Sequence, residues 1–195
     1  GKDMEFKTET KQPDVVDEGV FSSLTDRKIS QPTATKYGVK VVHDHQGNVI
    51  KHFYPYYNGH ELAGTKCRNV KSKDFFVSGT YNETGLFGQQ LFKSGKYVTI
   101  TEGECDAMAA YELLGSKWAV VSIKRGAQGA VRDGKESLEF FDEFENVIIA
   151  FDNDKAGKEA AIKVARLFKP SKAKIVTLPN GYKDPNDMLR NNKHK

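Results

Sequence analysis

The stretch that decides the fold is Lys96-Tyr-Val-Thr-Ile-Thr-Glu102-Gly-Glu-Cys-Asp106. Its first half, residues 97–101, is rich in β-branched and aromatic side chains and predicts a buried strand. The chain then turns at Gly103 and enters an apolar run to Leu114 that predicts a helix. Glu102 therefore falls at the carboxyl end of a strand, which is the edge where open α/β sheets bind their ligands.

A second acidic strand end follows in Asn146-Val-Ile-Ile-Ala-Phe-Asp152-Asn-Asp154. Residues two apart in extended chain point to the same side, so Asp152 and Asp154 are able to grip one cation. Together with Glu102 they form a set of three candidate catalytic and metal-binding carboxylates. Three acids at one point repel each other unless a cation lies among them. Hard oxygen ligands without histidine or thiolate favour Mg²⁺ or Mn²⁺ over zinc.

Most of the acids near these strand ends also have a simpler interpretation. Asp154 is a good N-cap for the helix predicted over residues 155–168, and Asp152 is then an ordinary strand-end acid. Asp106 either stabilises the loop or binds a water molecule that is not itself a metal ligand. Alternatively, it is an ordinary acid in the first turn of a helix, where the helix dipole favours negative charge. Asp184, after the last predicted strand, reaches the same edge only if the strand order allows it.

The second half of the chain alternates between strands and helices. Strands are predicted over 97–102, 118–123, 146–152 and 173–178, and helices over 104–114, 134–144 and 155–168. Apolar strands that alternate with helices indicate a mostly parallel sheet with helices on both faces. The fold class predicted for this half is therefore α/β.

The first half has a different pattern of predicted elements, which is typical of a small α+β unit. Ser30 as N-cap, Pro32 in the first turn and Gly38 after the last turn predict a short helix. Strands over 39–42, 49–57 and 61–70 and a short helix over 81–92 complete an antiparallel meander. The predicted division is a flexible arm or linker at 1–19, a basic β-meander subdomain at 20–95, a catalytic domain at 96–190 and a tail at 191–195.

Composition bounds the class of protein. The 195 residues are 38% hydrophobic and 29% charged, which is typical of a soluble globular protein. We find no apolar run of membrane-spanning length and no signal peptide in the sequence. The two cysteines, Cys67 and Cys105, are too few for a disulfide framework or a four-cysteine zinc site. We expect free thiols and a cytoplasmic protein.

Basic residues concentrate ahead of the acidic strand ends. Residues 20–95 carry ten basic against five acidic side chains, whereas residues 1–19 carry three against six. Such a face suits a polyanion, although mild basicity by itself is more typical of a solvated surface. Candidate phosphate ligands are Lys66, Arg68, Lys71 and Lys73, with Lys124 and Arg125 in a glycine-containing loop. Aromatic residues interleave with the first group, which fits single-strand binding, or a core.

Several motifs carry a family resemblance. The runs Thr101-Glu-Gly-Glu-Cys-Asp106 and Phe151-Asp-Asn-Asp-Lys-Ala-Gly157 resemble the signature of the Toprim domain of primases, topoisomerases and some nucleases. Leu24-Thr-Asp-Arg-Lys-Ile-Ser30 and Gly85-Leu-Phe-Gly88 resemble segments of primase catalytic cores. Lys183-Asp-Pro-Asn186 resembles their third acidic motif. Residues 20–190 as a whole resemble the primase part of short-tailed-phage primase-helicases.

The resemblance implies a primase, an enzyme that makes short RNA primers from ribonucleotides on a single-stranded DNA template with Mg²⁺ or Mn²⁺. It implies that Glu102, Asp152, Asp154 and Asp184 surround the metal ions, and that Lys66, Arg68 and Lys73 hold phosphates. It also implies a zinc-binding module and a helicase domain in the full-length protein, and a host bacterial cytoplasm.

Two other functions use the same residues. A Toprim-type nuclease would cut phosphodiesters with these acids, and the non-catalytic nucleic-acid-binding core of a helicase would keep only the binding surface. The primase-like first half disfavours the nuclease, and the full set of acids disfavours the non-catalytic core. Whether Glu102 is a metal ligand or a general base stays open at this point.

Overall fold

The computed structural model describes residues 15–16, 18–179 and 181–191. Most of the predicted arm at 1–19 and of the predicted tail at 191–195 therefore lies outside the described residues. The described part of the arm contacts the first sheet, because Val16 N–H donates to Ser78 Oγ at 2.9 Å. Val20, the first residue after the arm, pairs with Val41. Within the described ranges, the helices are all too short or too polar to cross a lipid bilayer.

The first sheet is antiparallel, with strand order β1-β2-β3-β4. Its strands are β1 at Lys40–His43, β2 at Val49–Asn58, β3 at Glu61–Asn69 and β4 at Phe75–Gly79. The first three confirm the predicted meander to within a residue or two. The sequence did not predict β4, because three consecutive exposed apolar residues at its start hide the alternation that marks a half-buried strand.

The second sheet is parallel, with strand order β6-β5-β7-β8. Its strands are β5 at Gly95–Thr101, β6 at Ala119–Ser122, β7 at Phe144–Ala150 and β8 at Ala173–Ile175. The helices of the described chain are α1 at Gln31–Tyr37, α2 at Glu104–Leu113, α3 at Gly126–Glu136, α4 at Leu138–Asp142, α5 at Lys155–Ala165 and α6 at Pro185–Arg190. The mixed α/β fold class is confirmed.

Three local predictions were wrong. The helix predicted over 134–144 is two helices, α3 and α4, that meet at Ser137, and α3 begins at Gly126. The helix predicted over 81–92 is a pair of 3₁₀ turns separated by Gly85 and Gly88, and Gly88 has φ 84°. The segment after the last strand, for which no helix was predicted, forms α6, with Asp184 as its N-cap and Pro185 in the first turn.

Helix α2 packs between the two sheets. Residues Ala107 to Ala109 are fully buried, and the aromatic side chains of β2 pack against the helix from the antiparallel sheet. Tyr56 Oη donates to Glu104 Oε1 at 2.9 Å, and Glu112 at the other end of the helix accepts from the backbone N–H of Ser30 at 2.7 Å. Burial of each large apolar side chain contributes roughly 1.5–3 kcal/mol, so the acid-bearing end of α2 is held firmly between the sheets.

Candidate active site

Glu102 and Asp152 lie side by side at the carboxyl edge of the parallel sheet. Strands β5 and β7 are neighbours, with Thr101 opposite Ala150, so the residues that follow them leave the sheet together. The backbone N–H of Asp152 donates to Glu102 Oε1 at 3.4 Å. The predicted meeting of the two acidic strand ends is therefore seen in the structure.

Gly157 allows this close approach. A Cβ atom at Gly157 would lie 2.9 Å from Glu102 Oε1 and would collide with the carbonyl group of Asp152. Any larger residue would push the first turn of α5 away from the strand ends. The glycine that ends the second Toprim-like motif therefore has a steric reason to be there.

Three aspartates form the tightest acidic cluster found among the described residues: Asp106, Asp152 and Asp184 each place a carboxylate oxygen within 4.8 Å of the other two. Asp106 was predicted only to support the site or the helix start, and the structure brings it into the cluster. Its Oδ1 accepts a hydrogen bond from Asn186 N–H at 3.0 Å, which draws the third acidic loop against α2.

The electrostatics of the cluster favour a bound cation. Burial, then the charges of Glu102 and Asp184, raise the pKa of Asp152 to about 7. Burial, then Asp184 and Asp152, raise the pKa of Asp106 well above its usual range. Asp152 Oδ1 is buried and has no hydrogen-bond partner in the described part of the chain. Crowded, partly unpaired carboxylate oxygens are a donor set that fits Mg²⁺ or Mn²⁺.

Cations surround the cluster as well. A cavity of about 260 Å³ is lined by the three aspartates and Glu102 together with Arg27, Arg68 and Lys183. No role was predicted for Arg27 or Lys183. Both lie inside stretches that resemble primase motifs, so the motif match was the signal that could have found them.

Asp154 takes a different position from the other predicted metal ligands. It is exposed and caps α5, because its Oδ1 accepts from Gly157 N–H at 2.7 Å. It is not one of the three clustered aspartates, although its charge raises the pKa of Glu102 after the larger effect of burial. The capping interpretation is therefore seen directly, and a metal-binding role for Asp154 stays a prediction.

The basic run of β3 lies on the same side of the molecule as the acids. Lys66, Arg68 and Lys73 line a cavity of about 540 Å³ that also contains Glu102 and Glu104. Lys66 Nζ forms an ion pair with Glu104 Oε1 at 2.7 Å, which ties β3 to the start of α2. Lys71 lies in the exposed turn after β3 and is not part of the described lining of this cavity.

Lys124 and Arg125 also line the larger cavity but make extensive contacts within the protein, and their role in holding phosphates stays a prediction. The Lys124 side chain is only 2% exposed, and its ammonium donates to the carbonyl oxygens of Tyr81 and Thr84 at 2.9 Å each. Arg125 is paired with Asp133 and lies 3.8 Å from Glu136. The loop itself is fixed because Asp133 also accepts from the Lys124 and Arg125 N–H groups. Lys124 therefore ties this loop to the segment that contains Tyr81 and Thr84, and Arg125 ties it to α3.

Comparison with known proteins agrees with this architecture. A family model described as Toprim-like matches residues 99–189. A DNA helicase/primase of Enterobacteria phage T3 is 35% identical over 171 residues, which are 87% of this chain and 29% of that protein. The chain thus spans less than a third of the length of this relative.

Solved structures give the same result. The primase fragment of the bacteriophage T7 primase-helicase superposes with a TM-score of 0.83 at 31% identity, covering 93% of this chain and 76% of that one. T7 primase domains bound to an RNA/DNA hybrid and dTTP, beside the lagging-strand DNA polymerase, give 0.79 at 33% identity, covering 89% and 86%.

A more distant structure shares the fold alone. The zinc-binding and RNA polymerase domains of the Aquifex aeolicus primase give a TM-score of 0.62 at 18% identity, covering 86% of this chain and 51% of that one. The matching motifs, the acidic cluster at the sheet edge and the two T7 structures lead to one assignment. This chain belongs to the family of Toprim primase domains found in phage primase-helicases.

Proposed function

We propose that the chain catalyses RNA primer synthesis on single-stranded DNA by metal-assisted nucleotidyl transfer. The observation that carries the proposal is the cluster of Asp106, Asp152 and Asp184 beside Glu102, flanked by Arg27, Arg68 and Lys183. Carboxylates that hold metal ions and cations that hold phosphates are the two groups of ligands that phosphoryl transfer needs.

The clustered aspartates would hold Mg²⁺ or Mn²⁺, which, when bound, lowers the pKa of the attacking 3′-hydroxyl and neutralises charge on the departing pyrophosphate. We place Asp154 next to this group, where its charge adds to the negative potential. Two roles fit Glu102: a further ligand, or a base that takes the hydroxyl proton, for which a raised pKa is suited.

The chain's cations would orient the polyanions. Lys66, Arg68 and Lys73 lie along one wall of the larger cavity, and Arg68 also lines the acidic cavity. A phosphate chain that spans the two cavities would meet ammonium and guanidinium groups first and the metal-binding carboxylates next. This arrangement holds the reacting phosphate from two sides and limits its rotation.

The wider context is part of the same proposal. We infer that the full-length protein carries a zinc-binding module and a helicase domain, as a member of a primase-helicase family. The template is then single-stranded DNA, the substrates are ribonucleotides, and the protein works in the cytoplasm of a bacterial host. The isolated fragment would select template sequences weakly, because the family's zinc-binding module usually reads the start site.

Incubation with labelled ribonucleotides, a single-stranded DNA template and Mg²⁺ or Mn²⁺ tests the proposal. We expect short ribonucleotide products that depend on template and metal, and their loss by roughly 100-fold or more in Asp152→Asn, which removes a charge and keeps the shape. Shortening of the template with no synthesis would identify a nuclease instead. Template binding without either reaction, in the presence of metal, would identify a non-catalytic binding core.

A further inference from the structure

Strand β4 exposes aromatic surface that the proposed chemistry leaves unexplained. Phe75 is 65% exposed, and it begins the edge strand of the antiparallel sheet. Large apolar side chains are normally buried, and the mostly exposed Phe75 ring leaves aromatic surface open to a ligand at the mouth of the basic cavity.

The register of the sheet fixes which way this ring faces. Phe75 lies opposite Arg68, and Val77 lies opposite Lys66, so these four side chains share one face. The same face carries Tyr54, which is opposite Lys66 on β2 and is buried against α2. The sheet face that packs on α2 therefore continues beyond the helix, and there it lines the open cavity of about 540 Å³.

The ring lies among cationic side chains. Lys66 Nζ is 4.9 Å from the Phe75 ring centroid, and both Arg68 and Lys73 line the same cavity. A nucleotide whose phosphates meet these cations would bring its base within reach of the exposed ring. Aromatic rings beside a basic groove stack on bases of any sequence, since every base has a π-face.

We propose that Phe75 is a stacking platform for a nucleobase at the mouth of the basic cavity. The proposal rests on the proposed function, because it assumes that a nucleic acid or nucleotide enters this cavity. It adds a recognition element that none of the Toprim-like motifs contains, from a strand that the sequence did not predict.

The neighbouring Phe76 supplies a matched control. It is 50% exposed on the same strand but lies opposite Cys67, on the other face of the sheet, and it does not line the cavity. Phe75→Ala and Phe76→Ala remove the same number of atoms from the same edge strand. A general loss of strand stability would affect both, whereas loss of stacking would affect only Phe75→Ala.

The experiment compares three proteins, the parent, Phe75→Ala and Phe76→Ala, for binding to a labelled oligothymidine without divalent metal. A second oligonucleotide carries abasic sites in place of its central bases. We expect Phe75→Ala to bind oligothymidine roughly 5- to 100-fold more weakly, with Phe76→Ala near the parent and Phe75→Trp restoring affinity. The parent should lose affinity for the abasic strand, and Phe75→Ala should show little further loss. Thermal unfolding of each variant checks the fold.

A second binding measurement distinguishes a base of the template strand from the base of an incoming nucleotide. If oligonucleotide binding is unchanged in Phe75→Ala but the affinity for a fluorescent ribonucleotide with Mg²⁺ falls, the base belongs to the incoming nucleotide and the platform still stands. Unchanged binding of both ligands by Phe75→Ala, or an equal loss of affinity in Phe76→Ala, overturns the proposal that Phe75 stacks on a base. If the parent binds neither ligand, the proposed function itself fails.

Discussion

The backbone N–H of Asn186 donates to Asp106 Oδ1 at 3.0 Å, joining two residues 80 positions apart. The Asn186 side chain continues the link: its Nδ2 donates to the Arg27 carbonyl at 3.0 Å, and its Oδ1 accepts from the Arg27 guanidinium at 3.2 Å. Through its backbone N–H and its side chain together, the buried residue Asn186 thus connects the loop before α1, the start of α2 and the start of α6. These three segments each contribute a residue to the acidic cavity.

Asn186→Ala tests this connection. The variant removes both side-chain hydrogen bonds to the partly buried Arg27, so we expect the free energy of unfolding to fall by about 2 kcal/mol. Mg²⁺ affinity should fall roughly 10- to 100-fold, because Asp184 is no longer held in position. Chemical unfolding and calorimetric metal titration measure the two effects.

Asn191→Ala is the matched control. Asn191 follows the same helix, is exposed, and bonds only locally to Asp187 among the described residues. We expect a stability change within about 0.5 kcal/mol and unchanged metal affinity. Equal effects from the two variants would show that Asn186 does no more than any residue of α6.

Asp154 caps α5, and one substitution tests whether its charge also serves the metal site. Asparagine is as good an N-cap as aspartate, so Asp154→Asn should keep the stability of the parent, whereas Asp154→Ala should lose about 1 kcal/mol. If the Asp154 charge also serves the metal site, nucleotide addition should fall roughly tenfold or more in both variants. Full activity in Asp154→Asn would restrict this residue to capping α5.

Lys66, Arg68 and Lys73, which line the larger cavity, predict how the affinity for single-stranded DNA depends on salt. Arg68→Ala should reduce the slope of log affinity for single-stranded DNA against log salt by about 0.7 to 1 unit, because one phosphate contact and its counterion release are lost. Lys71→Ala removes a charge outside the cavity lining and should change the slope far less. Binding titrations at several salt concentrations measure the slope for both variants. A larger change of slope in Lys71→Ala than in Arg68→Ala would contradict the proposal that the cations lining the cavity bind the phosphates.

The raised pKa of His52 predicts how the stability of the fold depends on pH. Burial opposes a charge on His52, but its hydrogen bonds with Asp26 and Cys105 outweigh burial and raise the His52 pKa from 6.5 to about 9. A raised histidine pKa stabilises the fold fully below pH 6.5, and the stabilisation is lost as pH rises through 9. We expect a loss on the order of 3 kcal/mol across this window.

Chemical unfolding of the parent and of His52→Gln across this pH range measures the effect. The difference between them isolates His52 from other groups such as Lys124, whose pKa burial lowers to about 8. The difference in stability should shrink as pH rises through 9. A difference that stays constant with pH would mean that His52 is neutral in the folded protein.

Local sequence determined the strand ends, the acids on them and the start of α2. Those features depend on neighbours in the chain: a β-branched run, a glycine turn and an apolar helix follow one another, and Glu102 and Asp152 fall at the ends of strands as predicted. The α/β order of the second half is equally local. The division of the chain near residue 95 into two subdomains stays a prediction.

Only the tertiary structure decided which charged groups meet. Asp106 joins Asp152 and Asp184 because strand order and the packing of α6 on α2 bring distant segments together, and periodicity contains no information about such contacts. For the same reason the sequence did not show that Lys124 is buried and donates to the carbonyl oxygens of Tyr81 and Thr84. Hydrophobic patterning specifies the direction of a side chain relative to its own element, whereas the partner on the other side is set by how the elements pack.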